Sequence, residues 1–353
     1  MSIFSSPQSI HSMTLLPKLE NPLKNFKFMK TREGQNKRIR FGSKRSLQMV
    51  SNEIFDVIDE GPIPVDDRVF TINGWRWHTT SVIKDIEKFR AVIRQLRESF
   101  KAVVYDDSTS EKATSTTTTT IVESSTAAEK IVHITTVQLE QSQQIQKCFN
   151  FVYGFNWRAL MKVEASMFFP WVKNLLPSKY SHLLNNITVE HDAVRELSLK
   201  FEQKCSEYND KVTKRKLAYT PSKDKKKKVA YPKLMEQQMI NLEHQNFLLS
   251  IEDILNQMQS RALRIQDVQE YVLVPFIAAY VNKKAQDVFN RKVISSLGLI
   301  NSQIHLVSMY EAIKDDAAEY SKFKKQIPRV AQAVVPLWKK RLYAPKIACF
   351  AKK

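Results

Sequence analysis

Apolar residues recur at intervals of three and four along most of this chain, and this spacing constrains the fold more than any other feature. The clearest stretch is one stripe of nine apolar positions: Val82, Ile83, Ile86, Phe89, Val92, Ile93, Leu96, Phe100 and Val103. A stripe with this period lies on one face of an α-helix, so we predict an amphipathic helix over about 79–104. The same period predicts helices over about 136–175, with a break or a bend near Gly154, and over about 189–210 and 234–259.

Two more helices are predicted nearer the C-terminus, over about 264–296 and 299–326, with Gly298 ending the first of them. The chain has only six glycines in 353 residues, and it is rich in residue types that favour helices. We therefore predict an all-α fold, in which four core helices are followed by additional C-terminal helices.

Two segments between the helices have a different composition. Residues 105–130 are rich in Ser and Thr and include five consecutive threonines, Thr116–Thr120. Such a tract buries little apolar surface, so we predict a mobile insertion there. Residues 211–233 carry two lysine-rich clusters and two prolines, which predicts a second mobile insertion, an exposed basic loop.

The composition changes also suggest three regions. Residues 1–53 form a basic stretch without periodicity and are predicted to be a flexible leader, either an organelle transit peptide or a solvated tail. Residues 54–260 contain the four core helices and both insertions. Residues 261–353 form an accessory helical extension with a basic tail.

Several functional classes lack support in the sequence. There is no G-x-G-x-x-G or G-K-[ST] motif, and no nucleophile–base pair can be argued, so an enzyme is not the first expectation. The three cysteines, Cys148, Cys205 and Cys349, fit neither a disulfide framework nor a zinc ribbon. The longest apolar run, Val272–Val281, is half of what a membrane span needs. We expect an intracellular protein, in the cytoplasm first, with the nucleus or an organelle as alternatives.

Each of the four core helices offers one side chain that could bind a metal. His78 begins the first helix, Glu164 lies in the second, His191 is near the start of the third, and His244 lies in the fourth. Helix bundles hold iron with side chains that project inward from facing helices. Imidazole and carboxylate groups together suit non-haem iron or a similar divalent cation. His305 lies outside this register and is given no chemical role.

The motifs around these four residues resemble the hemerythrin-like (HHE cation-binding) family over residues 75–260. The motifs, in chain order, are Trp77-His78, Glu164-x3-Phe168-Phe169-Pro170-Trp171, Glu190-His191-Asp192 and Glu243-His244. The resemblance implies an up-down four-helix bundle with an iron centre. It places His78, Glu164, His191 and His244 at ligand positions.

Two positions depart from the family pattern. Leu160 stands where the second helix should supply a histidine, and Leu248 stands where the fourth helix should supply a glutamate. We therefore do not expect a full di-iron centre. Three imidazoles and one carboxylate could still hold one divalent ion. Alternatively, the bundle has lost its metal, and the two leucines fill the vacated volume.

The formal charge of +19 favours contact with polyanions. Basic residues concentrate in the second insertion, at Lys214, Arg215, Lys216, Lys225, Lys226, Lys227 and Lys228. This pattern fits a two-part nuclear import signal, a polyanion-binding segment or a solvated loop. The leading hypothesis is a divergent hemerythrin-like protein with weak iron or divalent-metal binding and a sensing, storage or scaffold role. The alternative is a metal-free helical adaptor that binds nucleic acid or an anionic membrane.

Overall fold

The computed structural model describes residues 58–109, 120–175, 184–220 and 234–350. These residues are 91% helical and contain no strand, so the all-α prediction is confirmed. Within these ranges, no helix has the length and apolar content needed to cross a bilayer.

Four long helical segments make up most of the structure, and two of them pass through π-helical turns. In chain order the parts are α1 (Asn73–Thr109), α2 (Thr120–Phe149), a π segment (Asn150–Trp157), α3 (Arg158–Val163), a π segment (Glu164–Phe168), α4 (Phe169–Lys173), α5 (Asn185–Tyr219), α6 (Leu234–Val268), a π segment (Gln269–Leu273) and α7 (Val274–Tyr280). A short 3-10 turn, Val65–Asp67, precedes them.

Shorter helices form the C-terminal part of the chain. They are α8 (Lys283–Ser296), α9 (Leu299–Ile313), α10 (Ala317–Gln326), α11 (Arg329–Trp338), a π segment (Lys339–Tyr343), α12 (Ala344–Ile347) and a 3-10 turn (Ala348–Phe350). Local signals fix their ends. The side chains of Asn282 and Asp316 accept hydrogen bonds from backbone N–H groups in the first turns of α8 and α10. Gly298, between α8 and α9, has a φ of 72°, a conformation that favours glycine.

Polar pairs on the long helices show how neighbouring helices run. On α1 and α6 with its π segment, Arg76 pairs with Glu270 and Arg97 pairs with Glu252, so residue numbers rise on one helix as they fall on the other. Helix α5 is antiparallel to α6 by the same test, because its early residue Glu190 pairs with Arg264. Helix α5 also packs on α2, and α9 packs on α1.

Aromatic side chains fill the centre of the structure. The rings of Phe149 and Phe201 stack with centroids 3.8 Å apart, and Phe89 lies 6.0 Å from Phe201. Phe350, near the C-terminus, approaches Phe89 with its ring edge. Residues before and after position 260 therefore share one apolar core.

Several predicted boundaries are corrected by the structure. The predicted boundary at residue 260 falls inside α6. Near Gly154, where a break or a bend is predicted, the structure has a π-helical stretch in a continuous helix. The mobile insertion predicted at 105–130 is helical at 105–109 and 120–130, and residues 110–119 lie outside the described ranges, as do the leader 1–53 and Lys225–Lys228.

The second insertion, predicted at 211–233, is helical as far as Tyr219. Packing explains why the helix continues through a lysine-rich sequence. Val212 and Tyr219 are buried, and Arg215 forms an ion pair of 2.8 Å with Glu243 on α6. Tertiary contacts override the local composition there.

Replacing Phe201 with alanine tests the aromatic core. We expect Phe201→Ala to lower the free energy of unfolding by about 3–5 kcal/mol, because it removes a fully buried ring from a packed stack. The matched control is Leu199→Ala on the same helix, where the side chain is 65% exposed and the change should stay within about 0.5 kcal/mol. Urea unfolding followed by circular dichroism measures both, and equal effects would contradict this core.

Candidate metal centre

Glu164 is fully buried and contacts all three of the other long helical segments. Its Oε1 accepts a hydrogen bond from the indole Nε1 of Trp75, on α1, at 2.8 Å. The same oxygen accepts a second hydrogen bond, at 3.0 Å, from the amide Nε2 of Gln269, in the π segment after α6. These two donors fix the orientation of the carboxylate and leave Oε2 free to face α5.

The Oε2 atom of Glu164 lies 3.0 Å from the Nε2 atom of His191 on α5. This is an ion-pair distance, but the approach angle falls outside hydrogen-bond geometry, so neither atom has a hydrogen-bond partner. The Oε1 atom of Gln269 is also buried without a partner. Three polar atoms of one buried cluster are therefore unsatisfied, although buried polar atoms are normally hydrogen-bonded.

The backbone at Glu164 is itself unusual, because this residue begins a π-helical turn. A π turn adds a residue to the helical repeat and shifts the side chains that follow around the axis, and such turns are frequent at functional sites. His191 lies in the second turn of α5, where it is buried beside the ring of Phe169. Two of the four predicted ligands, Glu164 and His191, are therefore in contact in the structure.

His78, one turn after Trp75, is buried but directed elsewhere. Its Nε2 lies 3.1 Å from the backbone oxygen of Asn156 and 2.7 Å from the side-chain Oδ1 of the same residue. A backbone oxygen only accepts, so His78 Nε2 carries a hydrogen and donates it, and that nitrogen has no lone pair for a metal. Burial lowers the pKa of His78, against the opposing effects of Asn156 and the charge of Glu164.

Asn156 is the centre of a second buried polar cluster. Its amide nitrogen donates to Asp85 Oδ2 at 2.9 Å and to Ser81 Oγ at 3.2 Å, both on α1. Burial raises the pKa of Asp85, although the ammonium of Lys88 at 2.9 Å opposes the shift. On α9, the hydroxyl of Ser308 lies 3.4 Å from Asp85 Oδ2. The cluster therefore links α1, the first π segment and α9.

His305 on α9 lies beside this cluster, although no pattern in the sequence indicates a role for it. Its ring is 4.7 Å from that of His78 and stacks on Phe155 at 4.4 Å. Its Nδ1 is buried without a hydrogen-bond partner. Burial, assisted by His78, lowers the pKa of His305 to about 2, so the ring is neutral at physiological pH.

His244 lies far from the other predicted ligands. Its Nε2 is 2.7 Å from Gln141 Oε1, and its Nδ1 is hydrogen-bonded to the hydroxyl of Tyr208. Both ring nitrogens are therefore used. Tyr208 and His191 are seventeen residues apart on α5, which is about 25 Å along the helix axis.

The expectation that four ligands converge is therefore corrected. Glu164 and His191 touch, His78 is nearby but bonded to Asn156, and His244 is at another level of the structure. In the described ranges, no group of three or more His, Cys, Asp or Glu side chains is arranged to hold a metal ion. Leu160 and Leu248, at the two positions that depart from the family pattern, are buried in the core.

Sequence reasoning missed the amide and hydroxyl groups that satisfy these side chains. A signal existed for two of them. Asp85 interrupts the apolar stripe of α1 at an inward position, and Asn156 is a polar residue within a strongly apolar stretch. Gln269 and Tyr208 carry no comparable signal, because glutamine and tyrosine are ordinary residues on half-exposed helix faces.

No known family model matches this chain, and neither a curated protein nor a solved structure is significantly similar to it.

The environment of His244 predicts acid sensitivity. Burial lowers its pKa from 6.5 to about 4. The unfolded chain therefore binds more protons than the folded one between these values, and stability falls as the pH drops from about 6.5 towards 4. At about 1.4 kcal/mol per pKa unit, the loss from this residue is on the order of 3 kcal/mol.

Urea unfolding at a series of pH values tests this expectation. His244→Gln should make the stability less dependent on pH over this interval, whereas the exposed His133, changed in the same way, should leave the dependence as in the wild type. An unchanged pH dependence in His244→Gln would show that the buried imidazole is not the source.

Proposed function

We propose that this chain is a divergent hemerythrin-like protein that binds a single divalent cation, iron(II) being the one the family implies, at Glu164 and His191. Its role is to sense or hold the ion and to act as a scaffold, without turnover. The four long helical segments, with antiparallel neighbours, support an up-down four-helix bundle as their topology. One observation carries the metal proposal: Glu164 Oε2, His191 Nε2 and Gln269 Oε1 are buried together without hydrogen-bond partners.

A di-iron centre does not fit these residues. Such a centre needs bridging carboxylates and several imidazole lone pairs. Here Leu160 and Leu248 occupy the positions of two ligands. The Nε2 atom of His78 donates to oxygen, and both nitrogens of His244 are engaged. These residues therefore do not support chemistry that requires two metal ions.

A single divalent ion fits the Glu164–His191 pair better. Carboxylate oxygen, imidazole nitrogen and amide oxygen are all acceptable ligands for a divalent cation of the first transition series. The hydrogen bonds from Trp75 and Gln269 to Oε1 would orient the carboxylate, as partners in the outer shell of metal sites do. Only two strong ligands are present, so binding should be weak. Without metal, the carboxylate and the imidazole are in direct contact at 3.0 Å.

Quantitative metal binding tests the proposal. Purified protein, dialysed anaerobically against a saturating concentration of iron(II), is expected to bind close to one equivalent, measured by elemental analysis of the protein and of the dialysate. Titration with cobalt(II), followed by its visible absorption, gives the affinity. Glu164→Gln and His191→Gln should each weaken cobalt(II) binding by at least about tenfold, which is the effect expected of an essential ligand.

The matched control is His244→Gln, a change of a buried histidine to the same residue at another level of the structure. It should leave cobalt(II) affinity within about twofold of the wild type. Circular dichroism establishes that each variant is folded. Binding that is lost equally in all three variants, or retained in Glu164→Gln and His191→Gln, would overturn the site.

The alternative of polyanion binding through the second basic segment gains little from the described residues. Of its first cluster, Arg215 is already paired with Glu243. Lys214 and Lys216 lie on a helix, and they are exposed and half-buried respectively. Retention on heparin that falls when Lys214 and Lys216 become glutamine would favour this alternative.

A further inference from the structure

The turn between α8 and α9 exposes large apolar side chains at an apex. Ile294 is 62% exposed, Leu299 is 78% exposed and Ile300 is 62% exposed. None of the residues 294–301 is buried. Gly298, with its φ of 72°, makes the reversal between the two helices. Three aliphatic side chains that face solvent within seven residues form a contiguous apolar feature of the kind that marks an interaction surface.

The sequence on either side of this apex carries charges of one sign. The chain has no acidic residue between Asp287 and Glu311, whereas Arg291 and Lys292 precede the apex and are exposed. These two residues lie two or three positions before Ile294, about 3–5 Å back along the axis of α8. Neither takes part in an ion pair within the described ranges. The apex is therefore apolar, and two basic residues, Arg291 and Lys292, lie directly before it on α8.

We propose that the α8–α9 turn is a membrane-contact site, which inserts Ile294, Leu299 and Ile300 into the surface of an anionic lipid bilayer. The arrangement of the side chains matches the layers at the surface of a bilayer. The aliphatic side chains at the apex reach the acyl boundary, while Arg291 and Lys292 remain at the depth of the phosphates. This site is independent of the proposed metal function and uses none of its residues.

The rest of the structure holds the turn rigidly and leaves it accessible. Ile304 and Val307 of α9 are buried, and α9 packs on α1, so the helix that follows the apex is anchored in the core. Asp59 and Glu60 lie just before Ile63, whose N–H donates to the carbonyl of Ala279 shortly before α8 begins. Helix α8 has 14 residues, so this contact is about 20 Å along the helix axis from the apex.

A bilayer suits this surface better than a protein partner. The apex is a turn that includes the serines Ser295 and Ser296, and the cavity on α8 that is lined by Val288, Phe289 and Lys292 contains none of the residues 294–301. The net charge of +19 adds a long-range attraction to anionic surfaces. A second copy of this chain would carry the same two basic residues at its own apex, so the two copies would repel each other there.

Co-sedimentation with lipid vesicles tests the proposal, using the full chain. Vesicles of equal parts phosphatidylserine and phosphatidylcholine should bind the protein at low salt, and vesicles of phosphatidylcholine alone should bind it much less. The double variant L299S/I300S should lower the partition coefficient at least about tenfold, because each large aliphatic side chain removed from water contributes about that factor. The double variant R291Q/K292Q should lower it by at least about tenfold on the anionic vesicles only.

Leu199→Ser is the matched control, since this leucine is 65% exposed on α5 and lies outside the second basic segment; it should bind vesicles as the wild type does. All substituted side chains are exposed, so the variants should stay folded, which circular dichroism checks. The proposal is overturned if the wild type does not sediment with anionic vesicles, or if L299S/I300S sediments as well as Leu199→Ser does. It is also overturned if gel filtration shows a dimer that L299S/I300S dissociates, because the apex would then be a contact between copies.

Discussion

The carboxylate of Glu164 is the constraint on which the arrangement of the long helices depends. A buried carboxylate is costly unless hydrogen bonds or an opposite charge compensate it. Here the compensating groups come from three separate helical segments, through Trp75, His191 and Gln269. Sliding or rotating any one of these segments would remove a partner from a charge that has no access to water. The polar contact therefore fixes a register that apolar packing alone would leave less well defined.

A second polar centre, Asn156, joins the C-terminal helices to the same body. It bonds to His78 and Asp85 on α1, and Asp85 is reached in turn by Ser308 on α9. Buried polar clusters of this kind require that every member be present, because a missing member leaves the others unsatisfied. The C-terminal helices are thus bound to the core by directional contacts as well as by Phe350 and its aromatic neighbours. This is why the chain does not divide near residue 260.

The apolar period predicted the number and order of the long helices, but not their lengths. Periodicity marks the helix face that packs on a neighbouring helix. The helices extend beyond the periodic stretch where single contacts, such as the ion pair of Arg215 with Glu243, stabilise a further turn. The amino-acid composition does not indicate the π segments at Asn150–Trp157 and Glu164–Phe168. They depend on packing against other helices, which the local sequence does not contain.

The site was predicted in part for a similar reason. Of the four residues that the motifs placed at ligand positions, Glu164 and His191 are in contact, because both lie close to the short connection between their helices. The rise per residue of an α-helix is enough to show that His244 lies at a different level from His191. His191 is 28 residues before the end of α5 at Tyr219, about 42 Å, whereas His244 is ten residues after the start of α6 at Leu234, about 15 Å. Antiparallel neighbours place residues at one level only when these two lengths agree, so a motif can identify the inward face without identifying the level.

The leucines at positions 160 and 248 separate the stability of the fold from its capacity to bind an ion. Where metal ligands hold a bundle together, removing the metal leaves several buried polar groups unsatisfied and folding depends on the ion. Here both positions contribute apolar surface to the core, and His78 and His244 are satisfied by neutral partners. Of the four predicted ligands, only Glu164 and His191 retain unsatisfied atoms, and the hydrogen bonds from Trp75 and Gln269 already compensate much of the carboxylate's charge. A cation bound there would add little to the stability of the fold, so occupancy could follow the concentration of the ion without the helices having to unfold.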